Sequence, residues 1–337
     1  MNLKPVQIGS SRTLKVGETV FAIGAPQGLE LSLSEGIVSS IREEEDRRYI
    51  QTTAAISPGS SGGGLFNADG KLVGITAFTF KHGQTLNFAL PIEWLNEMPE
   101  RSEKYKQARK QAAPLLSEAC GAAVRKDWEA LHDVARKWVS IDKYSANAWT
   151  FLAQAHSGMG KYNDAIEAYE HSLQLDASAS SYADLGEVYL SRSIQHIDGT
   201  LRFDQEDLQK AKNAFEAAIE IEAEYALGWE GLGRVYLSLR NPTRAIQALV
   251  HATKYDPGVA SYWRFLGNAY HDAGDLEMAI IAHKRAAAIE PDSMSNWLAL
   301  GMASAKAGRT DLVMEAYSNL RKIDPKVAKG FFRTYVK

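Results

Sequence analysis

The sequence predicts a multidomain β + α protein, in which a small β-barrel domain precedes an all-α solenoid of paired helices. Three observations predict this fold class. Up to about residue 95, short segments rich in β-branched and aromatic residues alternate with turns containing glycine, proline or asparagine. Beyond Pro91 the hydrophobic period becomes helical. In the helical part, Trp229, Trp263 and Trp297 recur at a constant spacing of 34 residues.

Length and composition limit the classes of function. The 337 residues, 45 % of them hydrophobic, suffice for one or two ordinary cores. A net charge of −3 argues against a nucleic-acid-binding protein, which usually has a clustered basic face. No apolar run approaches the roughly 18 residues of a membrane helix, and the N-terminus shows no signal peptide. Cys120 is the single cysteine, which excludes an internal disulfide or a cysteine-rich zinc site.

Four segments predict the strands of the barrel domain, which we assign to residues 1–97. They are short, partly alternating, and separated by Gly-Ala-Pro, Pro-Gly and "NADG" turns of the kind that form hairpins. The segments are Thr19–Gly24, Leu31–Ile41, Tyr49–Ala55 and Leu72–Phe80. A polar, charged stretch at 98–111 then predicts a helical linker.

A repeated frame follows each tryptophan in the helical part. Leu-Gly pairs lie at 232–233, 266–267 and 300–301, a tyrosine and then an alanine follow, and Pro257, Pro291 and Pro325 close the units. This frame resembles the tetratricopeptide repeat. The small residues are expected to let helix A approach helix B, and each proline to stop helix B because it has no N–H to donate.

The repeats are assigned to residues 112–325, as about six units of which the first is degenerate. In one unit the interval from Gly186 to Ala211 is too long by about a dozen residues, which predicts an insertion near 192–204. Residues 326–337 are expected to form a helix that caps the last repeat.

The resemblance implies that the array binds a protein or peptide on its concave surface, with helix A residues lining it. Two other uses of the array remain open, as a spacer or for assembly into homo-oligomers. The groove-lining candidates are Glu230, Arg234, Arg264, Asn268, His271 and Met302, with Leu298 beside them. Their charges are mixed in sign, so the ligand is not predicted.

The stretch "SPGSSGGGLFN" (Ser57–Asn67) raises the possibility of a reactive serine. A nucleophilic serine needs a tight turn, backbone N–H groups aimed at the developing oxyanion, and a base. The glycines supply the first two in plausible form, while a plain glycine turn stays an alternative. A phosphate-binding P-loop is excluded because no Gly-Lys-Ser/Thr follows, and a dinucleotide fingerprint because a hairpin follows instead of a helix.

The motifs "FAIG-x-P-x-G", "SEGIVS", "QTTAAI", "PGSSGG" and "NFALP" resemble the second β-barrel of the HtrA/Deg group of trypsin-like serine endopeptidases, over roughly residues 5–95. The resemblance implies half of a trypsin-like double barrel, with Ser61 as nucleophile. The backbone N–H groups of Gly59 and Ser61, with Ser60 between them, would form the oxyanion hole. The strand Thr76, Ala77, Phe78 and Thr79 would pair with a polypeptide substrate. No metal or cofactor is required.

Some residues depart from the family pattern. Ser60, Gly64 and Thr53 replace the usual residues at their positions and leave the nucleophile in place. A larger departure is the catalytic base. The family's histidine and aspartate precede the serine and come from the first barrel, whereas this chain has no histidine before Ser61, and His82 is expected to be a loop histidine.

We therefore expect a chain that lacks the first barrel through truncation and is nearly inert alone. The opposing hypothesis is a non-catalytic scaffold built on the repeats, with a vestigial barrel. By resemblance, the parent protease would belong to the bacterial cell envelope or periplasm. Cleavage specificity is not predicted.

Overall fold

The chain folds into two compact units, residues Met1–Gln107 and Ala108–Lys337. The computed structural model describes residues 5–24, 32–44, 47–56, 62–82, 84–197 and 200–336. The predicted fold class is confirmed, since a β-barrel is followed by a series of helices in the arrangement of a repeat solenoid.

Six strands form the barrel of the first unit. They are antiparallel and close in the order β1-β2-β3-β6-β5-β4. Their bounds are β1 Thr19–Gly24, β2 Ser32–Glu44, β3 Arg47–Thr52, β4 Gly64–Asn67, β5 Leu72–His82 and β6 Gln84–Pro91. A short 3₁₀ turn, Ser11–Thr13, precedes them.

The barrel interior is filled by inward-facing aliphatic side chains. Val20, Val38, Ile50, Leu65 and Val73 are each 0 % exposed and pack into one cluster. They come from five different strands, as expected when side chains alternate between the two faces of each strand. Burying each such side chain stabilises the fold by roughly 1.5–3 kcal/mol.

Glu93 fastens the segment ahead of β1 to the end of the barrel. Its carboxylate accepts hydrogen bonds from the Ser10 hydroxyl at 2.7 Å and from the Ser11 hydroxyl and N–H at 2.7 and 3.0 Å. Burial raises the pKa of Glu93, but these donors outweigh it and the pKa is lowered overall. Just before them, Gly9 N–H donates to the carbonyl of Leu72 at 2.9 Å.

Thirteen helices are formed by the described residues after the barrel. Their bounds are α1 Trp94–Arg125, α2 Trp128–Ile141, α3 Ala146–Gly158, α4 Tyr162–Leu175, α5 Ala179–Ser193, α6 Gln205–Ile221, α7 Ala226–Ser238, α8 Pro242–Tyr255, α9 Ala260–Ala273, α10 Leu276–Ile289, α11 Met294–Lys306, α12 Thr310–Ile323 and α13 Pro325–Tyr335. The range 98–111, predicted as a linker, lies inside α1.

Successive helices pack as pairs, with α3, α5, α7, α9 and α11 as the first helix of each pair. The glycine of the Leu-Gly frame explains the close approach within a pair. A Cβ added at Gly233 would lie 2.5 Å from Leu249 Cγ, and one at Gly267 would lie 2.5 Å from the His283 ring. The expectation that small residues let the paired helices approach closely is therefore confirmed.

The predicted insertion holds a two-stranded antiparallel ribbon, β7 Ile194–Ile197 and β8 Thr200–Phe203. Its base is closed by the N–H of Asp204, which donates to the carbonyl of Ser193 at 2.8 Å. Beside it, the Arg192 guanidinium forms a bidentate ion pair with Asp207. After the last repeat, α13 places Phe331 against Gly301.

Candidate functional site

The glycine loop of the barrel is described on both flanks, whereas the predicted Gly59, Ser60 and Ser61 lie outside the described residues. What the structure provides is therefore the framework that holds the two ends of this loop. The ends are Ile56 on one side and Gly62 on the other.

The outgoing end of the loop is paired to β5. Gly62 N–H donates to the carbonyl of Thr76 at 2.7 Å, and Thr76 N–H donates to the carbonyl of Gly63 at 2.8 Å. Gly62 has φ +89°, a backbone state that residues with a Cβ rarely adopt. The residue following Ser61 is thus fixed beside Thr76, the first residue of the predicted substrate strand.

The incoming end of the loop is anchored by buried polar side chains. Asn87 Nδ2 donates to the carbonyl of Ala54 at 2.9 Å, and Ala54 N–H donates to Thr52 Oγ1 at 3.0 Å. The hydroxyl of Ser34 donates to the carbonyl of Ala55 at 2.8 Å. A Cβ at Gly36 would lie only 2.1 Å from Ala54 N, so this position requires glycine.

The predicted substrate strand lies in the part of β5 that does not pair with β4. The β4–β5 register ends at Gly64 opposite Ile75, whereas β5 continues to His82. Along this extension β5 pairs with β6, with Phe78 opposite Phe88 and Thr79 opposite Asn87. A register shift between Thr76 and Phe78 marks a bulge at Ala77.

His82 lies at the end of β5, so its backbone belongs to a strand and not to a loop. Its side chain, like Ser61, is outside the described part of the structure.

The predicted groove residues lie on α7, α9 and α11, which contact one another in sequence together with α3 and α5. We call the surface formed by these five helices the A-helix face. Two of the predicted residues, Glu230 and Arg234, form an ion pair at 3.6 Å, and the same guanidinium donates to Glu187 on α5. Arg234 is thereby shared between two carboxylates.

Glu230 is only 6 % exposed. Burial raises the pKa of its carboxyl from 4.5 to about 7, because the attraction of Arg234 only partly offsets the loss of hydration. Arg264 lies over the Phe265 ring at 4.5 Å from its centroid, and burial lowers the pKa of its guanidinium. Among the described residues Arg264 has no hydrogen-bonded carboxylate.

The remaining predicted groove residues lie toward the C-terminal end of the A-helix face. His271 Nε2 is 3.3 Å from Lys306 Nζ, and both line a cavity of about 410 Å³ with Arg240, which we call the basic cavity. Asn268 is half-buried, and Met302 is 49 % exposed.

The sequence reasoning missed a second cavity, at the N-terminal end of the same face. It measures about 290 Å³ and is lined by Ala123, Trp128, Gln154, Ser157, Gly158, Tyr169, Asp184 and Glu187. We call it the acidic cavity. Glu187 directly follows the glycine of a Leu-Gly pair, as Arg234, Asn268 and Met302 do in later repeats. The position after the glycine in the Leu185-Gly186 pair would therefore have predicted Glu187 as a further groove residue.

The described residues contain no group of three or more His, Cys, Asp or Glu side chains that could hold a metal ion. Within the same part of the chain, no helix has the length and apolar character needed to cross a membrane.

Comparison with protein families assigns both parts of the chain. Residues 1–75 match the trypsin-like peptidase domain family. Residues 199–250, 231–294 and 146–178 match tetratricopeptide repeat families.

Curated relatives match the N-terminal part. The chain is 46 % identical over 99 residues to the "Probable periplasmic serine endoprotease DegP-like" of Halomonas elongata, covering 27 % of this chain and 21 % of the relative. A protein of the same name from Pseudomonas fulva is 48 % identical over 98 residues, covering 27 % of this chain and 20 % of the relative. The chain thus spans about a fifth of the length of these relatives.

Solved structures support the helical fold. A chain of the APC/C hetero-tetramer Cut9–Hcn1 matches 72 % of this chain and 47 % of its own length, with a TM-score of 0.56 and 18 % identity. PilF of Pseudomonas aeruginosa matches 68 % of this chain and 99 % of its own length, with a TM-score of 0.56 and 16 % identity. The chain therefore contains a trypsin-like peptidase domain, which is homologous over about 99 residues to HtrA/Deg-type serine proteases. A tetratricopeptide repeat region follows this domain.

Proposed function

We propose that this protein is a serine endopeptidase of the HtrA/Deg type that attacks peptide bonds through Ser61, with the repeats recruiting polypeptide substrates or partner proteins. The homology over 99 residues is the observation that carries the proposal, and the match of residues 1–75 to the trypsin-like peptidase domain family spans the glycine loop. The anchoring of both loop ends to the barrel supports it, because a nucleophile must be held within a fraction of an ångström to be effective.

In this proposal the Ser61 hydroxyl attacks the substrate carbonyl, and the N–H groups of Gly59 and Ser61 donate to the oxyanion that develops. The substrate backbone lies along Thr76–Thr79, where β5 extends past β4. The pairing of Gly62 with Thr76 supports this placement, because it brings the residue after the nucleophile next to the start of that strand.

No candidate for the catalytic base lies ahead of Ser61, since no histidine precedes this serine in the sequence. A serine hydroxyl without a base is a poor nucleophile at neutral pH. We propose that a first barrel bearing His and Asp completes the site, and that without it the rate is lower by several orders of magnitude.

The test is to supply the proposed first barrel. The segment of the Halomonas elongata relative that precedes its matched 99 residues would be fused ahead of the full chain as the source of the proposed first barrel, and both proteins would be incubated with a fluorophosphonate probe. We expect the fusion to be labelled and the unfused chain to be labelled at a far lower rate. Ser61→Ala in the fusion is the control and should abolish labelling.

The second candidate function is a non-catalytic scaffold that binds proteins through the repeats. The match of the helical part to tetratricopeptide repeat families favours it. A folded fusion that is not labelled at Ser61, while the repeat region still binds peptides, would support the scaffold and contradict the peptidase.

A further inference from the structure

The acidic cavity has a carboxylate with no cation beside it. Asp184 Oδ2 accepts from Gln154 Nε2 at 3.3 Å and from Tyr169 Oη at 3.3 Å, and both donors are neutral. Among the described residues no Lys, Arg or His forms an ion pair with Asp184. A desolvated carboxylate of this kind is stabilised by a positive charge.

The surroundings of Asp184 are negative. Glu187, which also lines the cavity, shares the Arg234 guanidinium with Glu230, so this guanidinium is already paired with two carboxylates and contributes no ion pair to Asp184. Burial raises the pKa of both Asp184 and Glu187, and the negative charge of Asp184 raises that of Glu187 further. A cation bound in the cavity would offset this repulsion.

Two aromatic side chains contribute to the wall of the cavity. Trp128 and Tyr169 line it, and the Trp128 ring packs directly over Gly158, where a Cβ would lie 2.2 Å from the indole. Aromatic faces attract cations and also bury the aliphatic stem of a long basic side chain. The cavity of about 290 Å³ is at the small end of ligand pockets, which suits one side chain better than a whole small molecule.

We propose that the acidic cavity binds a lysine or arginine side chain of a polypeptide lying on the A-helix face. The cationic head group is placed at Asp184 and Glu187, and its stem lies against Trp128 and Tyr169. The inference rests on the proposed recruiting function of the repeats and names the residue type that they select. A divalent cation is a poorer occupant, because the described residues form no cluster of three metal-ligating side chains.

The opposite end of the A-helix face is lined mainly by basic side chains. The basic cavity is lined by Arg240, His271 and Lys306, with Asp272 as its acidic residue. A basic side chain of the ligand is therefore favoured at the α3–α5 end and disfavoured at the α9–α11 end, which fixes where along the face this side chain lies.

The experiment is a selection of random dodecapeptides, displayed on phage, on the immobilised full-length chain. We expect the selected peptides to share a lysine or arginine at one position. The best peptide would then be measured by fluorescence anisotropy against the chain and its variants. Replacing its basic residue by norleucine, or replacing Asp184→Asn in the protein, should each weaken binding at least about tenfold.

Two further variants make the test specific. In the Asp184→Asn protein, which keeps an oxygen to accept from Gln154 and Tyr169, the lysine and norleucine peptides should bind equally. Gln154→Lys places an ammonium group from the chain itself beside Asp184, so it should block the peptide while circular dichroism shows an intact fold. Asp292→Asn, an exposed carboxylate in a turn, is the control and should bind as wild type does.

Three outcomes would overturn the proposal. Selected peptides without a basic consensus, or equal binding to the Asp184→Asn protein, would refute the cationic pocket while leaving recruitment by the repeats intact. Spermidine binding as tightly as the peptide would refute the assignment to a polypeptide. No enriched peptide at all would contradict both this inference and the recruiting function, whereas labelling of Ser61 in the fusion protein tests catalysis independently.

Discussion

The indole Nε1 of Trp263 donates a hydrogen bond to the carbonyl of Pro257, six residues earlier, at 2.9 Å. The same bond recurs at the same spacing in three other repeats, from Trp149 to Lys143, from Trp229 to Ala223 and from Trp297 to Pro291. The conformational role of the repeated tryptophan is therefore to clamp the turn that joins one repeat to the next. Each accepting carbonyl lies just beyond the last residue of the preceding helix, so the bond holds the turn itself.

Replacing Trp263→Phe keeps an aromatic ring but removes the donor to Pro257. We expect a loss of about 1 kcal/mol in the free energy of unfolding, which is the usual net contribution of one intramolecular hydrogen bond to stability. Urea denaturation followed by circular dichroism would measure it. Tyr335→Phe, which removes the polar tip of a partly exposed ring near the C-terminus, is the control and should change stability by less than about 0.5 kcal/mol. Equal stability of the two variants would refute the clamp.

Gly267→Ala tests the close packing of α9 on α10. The added Cβ would lie 2.5 Å from the His283 ring, so either the ring or the helix must move, at a cost of about 1–3 kcal/mol. Gly330→Ala is the matched control, because nothing beyond its own stretch of helix backbone lies within 4 Å of its Cβ position, and the higher helix propensity of alanine should stabilise α13 by up to about 1 kcal/mol. In a His283→Ala background the cost at Gly267 should largely vanish, and a persisting cost would rule out the ring as its cause.

Local patterns predicted the parts of this protein that local interactions determine. The 34-residue tryptophan spacing and the Leu-Gly pairs predicted the repeats, because both reflect contacts between neighbouring helices. The acidic cavity was not predicted, since Asp184, Gln154 and Trp128 come from different helices and meet only after the repeats stack. The buried ion pair of Glu230 was missed for a similar reason, because its burial depends on neighbouring helices. The loop of Ser61 was recognised by resemblance, and Ser61 remains a prediction.

Glu230→Gln should change how stability depends on pH. Because the pKa of Glu230 is raised from 4.5 to about 7 in the folded state, the folded form holds the proton more tightly than the unfolded form. Stability from this group is therefore full below about pH 4.5 and is lost as the pH rises toward 7. The variant lacks this loss, so its stability relative to wild type should be greater at pH 8 than at pH 5, by on the order of 2 kcal/mol.

The measurement is urea denaturation of both proteins at the two pH values. Glu315→Gln, an exposed carboxylate on α12, is the control and should show the same difference from wild type at both. A constant difference for Glu230→Gln as well would mean that Arg234 holds the carboxylate ionised throughout, contrary to the expectation from its burial.

His283→Leu should reveal the opposite dependence. Burial, followed by the charges of His271 and Arg264, lowers the pKa of the His283 imidazole from 6.5 to about 4. The unfolded chain therefore takes up the proton first, and stability is lost as the pH falls from about 6.5 toward 4. The variant removes this loss, so its free energy of unfolding relative to wild type should be greater at pH 5 than at pH 7.5. Because Glu230 titrates over nearly the same range with the opposite sign, the wild type itself should vary less than either variant.

Asn87→Leu tests the anchor of the glycine loop. It removes the buried donor to the carbonyl of Ala54, two residues before the loop's incoming end, and leaves that carbonyl without its amide partner. An unsatisfied buried carbonyl costs about 1–3 kcal/mol, and the loop start should become more mobile.

In the fusion protein carrying a first barrel, the rate of fluorophosphonate labelling should fall more than the barrel's stability alone explains, because the position of Ser61 depends on this end of the loop. Thr13→Val is the control, since it removes an exposed hydroxyl that donates to the carbonyl of Ser10 in the turn ahead of β1. If the two variants are labelled at equal rates, Asn87 has only a structural role and the loop is positioned from its Gly62 end.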